Sequence, residues 1–288
     1  MLFRSYLAAA VACGLVFVPK LGISVDGSTR WIGYGELRMQ PSEIAKLALL
    51  VAAATLLARR SDAAADGSRW MEWLKPMVAL FVPLTFLVFV EPDMDSVMVL
   101  GFIAFAMLIV SGVPGGVLVR MCLVVVPAAL LMSVLKWYRV ARMLAFFHPS
   151  SHAAASYQAT QSVMAIGRGG IFGVGLGAGR AKWLHLPNAH TDFIFAIIGE
   201  ELGLIGTLFV LACFAGLAAL GFLVARRSPD RFGALLAAGI TVWIAGQAVI
   251  NLGAVVGVLP VAGIALPFLS AGGSSLVVTM LEIGRAHV

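Results

Sequence analysis

Long apolar runs separated by short polar stretches set the pattern of this chain. A helix that crosses a bilayer needs about 20 mostly apolar residues. Runs of that kind occupy approximately 5–20, 42–58, 76–91, 97–113, 115–135, 192–224 and 233–258, and a further one begins near Ser275 and is interrupted at Glu282. The pattern predicts an all-α integral membrane protein: a polytopic helical bundle with about seven complete spans, a truncated eighth and a long loop between two of them. The 192–224 run exceeds what one crossing needs, so that helix is expected to tilt strongly or to project beyond the membrane. Glycine and proline inside spans do not argue against this, because neighbouring groups satisfy the backbone they free.

Composition strengthens the membrane reading. Of 288 residues, 61% are hydrophobic and 12% charged, against roughly 25% charged in soluble domains. Cys13, Cys122 and Cys213 lie inside apolar runs without metal-ligand spacing and read as small packed hydrophobes. A net charge of +6 would suit nucleic acid, but the chain has no soluble basic domain to bind it. The first residues lack the small-residue cleavage site of a signal peptide. At the other end, Glu282-Ile283-Gly284-Arg285-Ala286-His287-Val288 resembles a translated adapter read-through more than a helix end. Residues 1–281 therefore read as a single membrane domain, incomplete at both ends, and 282–288 as a non-native tail.

Alternating crossings put the loops on two sides, and the positive-inside rule applies to short loops near span ends. By that measure Arg59, Arg60, Arg226, Arg227 and Arg231 mark the cytoplasmic side. The long loop 136–191 then faces outward. It holds Lys136, Arg139, Arg142, Arg168, Arg180 and Lys182, and no Asp or Glu. One reading is attraction to anionic headgroups. The other is a site for phosphate or pyrophosphate, which Arg grips through its planar fork and Lys meets as a point charge. Inside the loop, the stretch from Gly167 to Gly179 is glycine-rich. Glycine lets backbone approach a ligand, and successive N–H groups form an anion nest; a re-entrant or flexible turn is the alternative. No Gly-Lys-Ser/Thr follows, which excludes a Walker loop.

Asp192 is the only acid close in sequence to the basic loop, and it stands where the loop enters a span. A carboxylate there suits a general base toward a hydroxyl, or a helix N-cap. Glu200 and Glu201 lie two turns deeper; acids within spans are functional candidates, and a salt bridge with Lys46 or another basic residue is the plainer reading. Glu43 and Lys46 have i, i+3 spacing at the start of a span. Glu91, Asp93 and Asp95 form an acidic outer turn suited to a divalent cation or to pairing with Arg30 or Arg38. His185 and His190 lack the partners of a zinc site, and no Gly-x-Ser-x-Gly elbow is present.

Several stretches, in order, resemble the SEDS family (shape, elongation, division and sporulation proteins) over nearly the whole chain. They are Gly27-Ser28-Thr29-Arg30-Trp31-Ile32 with Gln40-Pro41-Ser42-Glu43-Ile44-Ala45-Lys46, Glu91-Pro92-Asp93, and Tyr157-Gln158 through Gly179. His190-Thr191-Asp192-Phe193-Ile194-Phe195 and Gly199-Glu200-Glu201-Leu202-Gly203 follow. The last are Asn251-Leu252-Gly253, Gly257-Val258-Leu259-Pro260 and Pro267 through Ser275. Ile-Gly-Glu-Glu and Leu-Pro-Phe are more similar to the division members than to the elongation members. The chain departs from the family pattern at Asn188, where Glu is common, at Ala265 for Pro and at Ala271 for Tyr.

The resemblance implies ten spans with both ends cytoplasmic, of which this chain would lack the first two and most of the last. It implies a peptidoglycan glycosyltransferase that polymerises lipid II in the bacterial cytoplasmic (inner) membrane, with its active site on the extracytoplasmic side. Asp192 takes the position of the family's catalytic aspartate. Arg30, Glu43, Lys46 and Glu200 fall on positions tied to the substrate cavity or its support, and Arg168, Lys182, His190, Ser274 and Ser275 complete the expected substrate-binding set. A divalent cation such as Mg or Mn is a candidate cofactor, and a class B penicillin-binding transpeptidase is the implied partner. Two rival readings are a lipid II flippase, which also needs a cationic cavity, and a division scaffold without chemistry.

Overall fold

The computed structural model describes residues 2–18, 21–25, 28–34, 37–59, 70–91, 93–134, 146, 153–181, 190–261, 263–270 and 280. The helices are α1 (Leu2–Leu15), α2 (Pro41–Arg59), α3 (Trp70–Val90), α4 (Met94–Val110), α5 (Gly115–Val134), α6 (Ala153–Gly169), α7 (Ile194–Arg227) and α8 (Arg231–Val255). Helices α2, α7 and α8 are long and apolar enough to cross a membrane, and Ser5–Leu15, Lys75–Val90 and Ser96–Val110 are shorter apolar helical stretches. The chain is thus a helical, polytopic membrane protein. Helix α6 falls inside the long loop, where the Ser and Gln residues of its sequence hide it from a search for apolar runs.

One small sheet accompanies the helices. Between α1 and α2 the chain forms a three-stranded antiparallel sheet, β1 (Gly22–Val25), β2 (Ser28–Tyr34) and β3 (Leu37–Met39), in the order β1-β2-β3. Ile32 pairs with both Gly22 and Met39, and the register shifts at Ile23/Ser24. Arg30 lies on the central strand.

Two compact units make up the chain. One comprises Met1–Leu118, Ala218–Gly246 and Gly273–Val288. Here α2 packs on α1, α3 and α4 around Leu49, Leu50, Leu100, Ile103 and Met107. Small residues let the helices approach: a Cβ on Gly239 of α8 would lie 2.5 Å from both Leu50 Cδ1 and Met107 Sδ. The other unit comprises Val119–Leu217 and Gln247–Gly272. Its core gathers Ala165, Phe193, Phe195, Ala196, Leu252, Val255 and Leu266, and Ser162 of α6 donates to the Val255 carbonyl at the end of α8 (2.8 Å).

Helix α7 is not continuous. At Gly203 the backbone turns to φ 67°, ψ −157°, a region open essentially only to glycine. The break leaves a short arm, 194–202, ahead of a run from 204 to 227 that matches one bilayer crossing. The excess length of this apolar run is therefore a separate arm, rather than the tilt or projection expected of one straight helix.

Candidate functional site

Asp192 sits in the turn that opens the short arm of α7, half-buried, with His190 exposed two residues before it. Two side chains fix the backbone there. Asn251 Nδ2, from α8, donates to the Asp192 carbonyl (2.8 Å) and to the Ile264 carbonyl (2.6 Å). Ser270 Oγ donates to the Thr191 carbonyl (2.6 Å) and accepts from the Leu266 N–H (2.7 Å). Both residues are buried, so these bonds are sheltered from competing water. A pocket of about 10 Å³ is lined by Asp192, Phe193, Asn251, Val255 and Ile264 among others. That is room for about one water. The motifs around Asn251 and Ser270 thus act together: they hold the main chain of Thr191 and Asp192.

The glycine-rich segment after α6 proves to be a clasp on the break in α7. An unbroken helix would join the N–H groups of residues 204 and 205 to the carbonyls of 200 and 201. Here the segment inserts into that ladder. Val174 N–H donates to Glu200 O (3.0 Å) and Gly175 N–H to Glu201 O (3.1 Å), while Leu204 N–H donates to Gly170 O (2.9 Å) and Ile205 N–H to Ile171 O (3.3 Å). The two carboxylates then grip the rest of the segment. Glu201 Oε2 accepts from Gly177 N–H (2.9 Å), and Glu200 accepts from Arg180 N–H at Oε1 (3.2 Å) and Ala181 N–H at Oε2 (3.0 Å). Glycine is required at Gly173, whose φ is 80° and whose Cβ would run into the Glu201 carbonyl.

This corrects two expectations. The anion in the glycine-rich nest is the chain's own pair of carboxylates, and Glu200 is held by backbone N–H groups rather than by Lys46. Arg168 and Arg180, at the two ends of the clasp, are exposed. Lys182, Ser274 and Ser275 lie outside the described residues.

In the first unit, Lys46 is buried to 1% exposure. Its ammonium meets Glu43 Oε1 at 2.7 Å and lies 5.2 Å from the centre of the Trp243 ring, so the i, i+3 pair is formed and backed by a cation–π contact. The acidic turn nearby is divided in its duties. Asp93 caps α4 through Ser96 N–H and also accepts from Gln40 Nε2 (2.7 Å) and Ser42 Oγ (2.8 Å). Glu91 is buried, with the Cys13 thiol of α1 beside its carboxylate. Among the described residues no group of three or more His, Cys, Asp or Glu is gathered for a metal ion.

The Lys46–Glu43 pair yields a prediction. Removing one member of a buried pair strands the other charge, which costs about 3–5 kcal/mol. Lys46→Met should therefore lower thermal stability strongly, and Lys46→Met combined with Glu43→Gln should recover much of the loss. A thermal-unfolding double-mutant cycle measures the coupling, and additive losses would show that the two side chains act independently.

The sequence model of the FtsW, RodA and SpoVE cell cycle proteins matches residues 1–285. The chain belongs to this family. A protein of Mycobacterium tuberculosis named "Probable peptidoglycan glycosyltransferase FtsW" is 42% identical over 98% of the chain and 53% of its own length. A Legionella pneumophila protein of the same name is 41% identical over 93% of the chain and 68% of its own length. The chain thus spans about half the length of the mycobacterial relative. Among solved structures, a peptidoglycan synthase complex that coordinates polymerization and crosslinking contains a chain of TM-score 0.81 and 30% identity, covering 99% of this chain and 79% of that one. The rod-shape-determining protein RodA of Thermus thermophilus matches with TM-score 0.70 and 28% identity over 99% of this chain and 76% of its own. The family's fold is therefore present, and the Asp192 turn, the α7 break and its clasp are parts of it in this chain.

Proposed function

We propose that this chain is the catalytic membrane domain of a peptidoglycan glycosyltransferase, and that Asp192 is its general base. The observation that carries the reading is a half-buried carboxylate whose main chain is braced by Asn251 and Ser270, in a family whose relatives bear the name of that activity. Asp192 takes the proton from the 4-hydroxyl of an acceptor N-acetylglucosamine. The freed oxygen forms a bond to the anomeric carbon of a donor N-acetylmuramic acid, with inversion. The bond from that carbon to the pyrophosphate oxygen breaks, and undecaprenyl pyrophosphate leaves with the electron pair.

Fixed positive charge aimed at a developing anion lowers such a barrier, and the basic loop 136–191 has the charge for it. Lys182, His190, Ser274 and Ser275 are further candidates for substrate contact, and Arg30, Glu43 and Lys46 for support of its cavity. Glu200 serves by holding the clasp. The short-loop arginines Arg59, Arg60, Arg226, Arg227 and Arg231 support a cytoplasmic position for their own loops, and with it an extracytoplasmic Asp192 in the inner membrane. A penicillin-binding transpeptidase is the fitting partner, in keeping with the complex of polymerization and crosslinking that the fold resembles. The test is polymerisation of purified lipid II by the complete gene product with that partner, read as glycan strands on a gel. Strands are expected. Lipid II crossing vesicle membranes without strand formation would replace this reading with a flippase.

A further inference from the structure

The clasp on α7 has an outer side. Ile171, Phe172, Val174 and Leu176 project from it, and Phe172 and Leu176 are each 80% exposed. Just beyond the break, Leu204, Ile205, Leu208 and Phe209 of α7 are exposed as well. Because residues 170–175 bond directly to residues 200–205, the two apolar surfaces adjoin. They continue one another from a spanning helix onto a loop.

A loop can sit in lipid only when its backbone polar groups are satisfied within the protein. This one meets that condition to an unusual degree. The N–H groups of Gly173, Val174, Gly175, Gly177, Ala178, Arg180 and Ala181 all find acceptors in the chain, and the Gly170 and Ile171 carbonyls receive donors from α7. The charges are arranged for the same place. Arg168 and Arg180, exposed, flank the apolar side chains, and the two carboxylates of the region turn inward to the clasp. Long cationic side chains beside an apolar surface bind lipid phosphates while their neighbours enter the acyl layer.

We propose that the segment Gly170–Ala181 is a re-entrant element immersed in the outer edge of the bilayer. Ile171, Phe172, Val174 and Leu176 lie among acyl chains there, and Arg168 and Arg180 lie against phospholipid phosphates. The occupant of this surface is the bilayer itself.

Spin labels test the placement. In a background of Cys13→Ala, Cys122→Ala and Cys213→Ala, Phe172→Cys or Leu176→Cys carries a nitroxide in the complete protein, reconstituted in phosphatidylcholine–phosphatidylglycerol vesicles. Leu220→Cys, on the exposed face of α7, is the lipid-facing control and checks that each preparation is folded and inserted. Both loop labels should collide with oxygen in preference to a water-soluble nickel chelate, at a depth of about 5–10 Å below the phosphates. Preference for the nickel chelate would put the loop in water and overturn the proposal. Exclusion of both reagents would overturn it too, by showing the surface covered by protein.

Discussion

Replacing Asp192 with asparagine should reduce lipid II polymerisation by ~10²–10⁴ in rate, the usual cost of removing a general base, without unfolding the protein. The substitution is close to isosteric and removes the proton-accepting oxygen alone. Two bonds to the main chain hold this turn without using the carboxylate: the Asp192 carbonyl accepts from Asn251 and the Thr191 carbonyl from Ser270. A melting temperature close to wild type should therefore accompany the lost activity. Glycan strands counted on a gel, beside a thermal scan of the same preparation, separate the two effects. Near-normal strand synthesis by Asp192→Asn would remove this residue from the chemistry and leave the basic residues without a base to serve.

Gly203→Ala should be the most damaging of the small substitutions. The φ, ψ pair at Gly203 lies where a side chain costs on the order of 1–3 kcal/mol. A Cβ there would also run into the Gly173 nitrogen and lie 2.5 Å from the Ile171 carbonyl oxygen. Relief requires the clasp to move off α7, which breaks backbone bonds worth about 0.5–1.5 kcal/mol each. Gly216→Ala offers the control within the same helix, because nothing lies within 4 Å of a Cβ there. Alanine is favoured over glycine in a helix interior by roughly 1 kcal/mol. The expected result is a large drop in thermal midpoint and in strand synthesis for Gly203→Ala, against an unchanged or higher midpoint for Gly216→Ala. Equal behaviour of the two variants would mean that the break is incidental.

The spans were legible because apolar length is a one-dimensional signal, and the Asp192 turn was legible through its motif. What escaped reading is what depends on distant pairing. The run from 192 to 224 is apolar through Gly203, so hydropathy passes over the break, and glycine is common enough inside spans to raise no alarm. Glu200 and Glu201 read as candidates for an ion pair because sequence gives charge and depth; it does not give the amide groups about 20 residues earlier that donate to them. The glycines from 169 to 179 did carry a true signal, close backbone approach, but the approach is to α7. Asp26-Gly27 between Val25 and Ser28 is a hairpin signature that could have announced the sheet; short strands between apolar runs are easily passed over when the search is for crossings.

A glycine break in a spanning helix invites the idea of a hinge, since hinges are places where φ and ψ absorb a large rotation. Gly203 cannot serve that way while the clasp is on. The clasp replaces two helix bonds by four main-chain bonds, two to the arm and two to the span, and the two carboxylates of the arm hold the rest of the clasp. The arm that leads from Asp192 is therefore locked to the start of its span. Any large motion must leave this joint rigid and bend the molecule elsewhere.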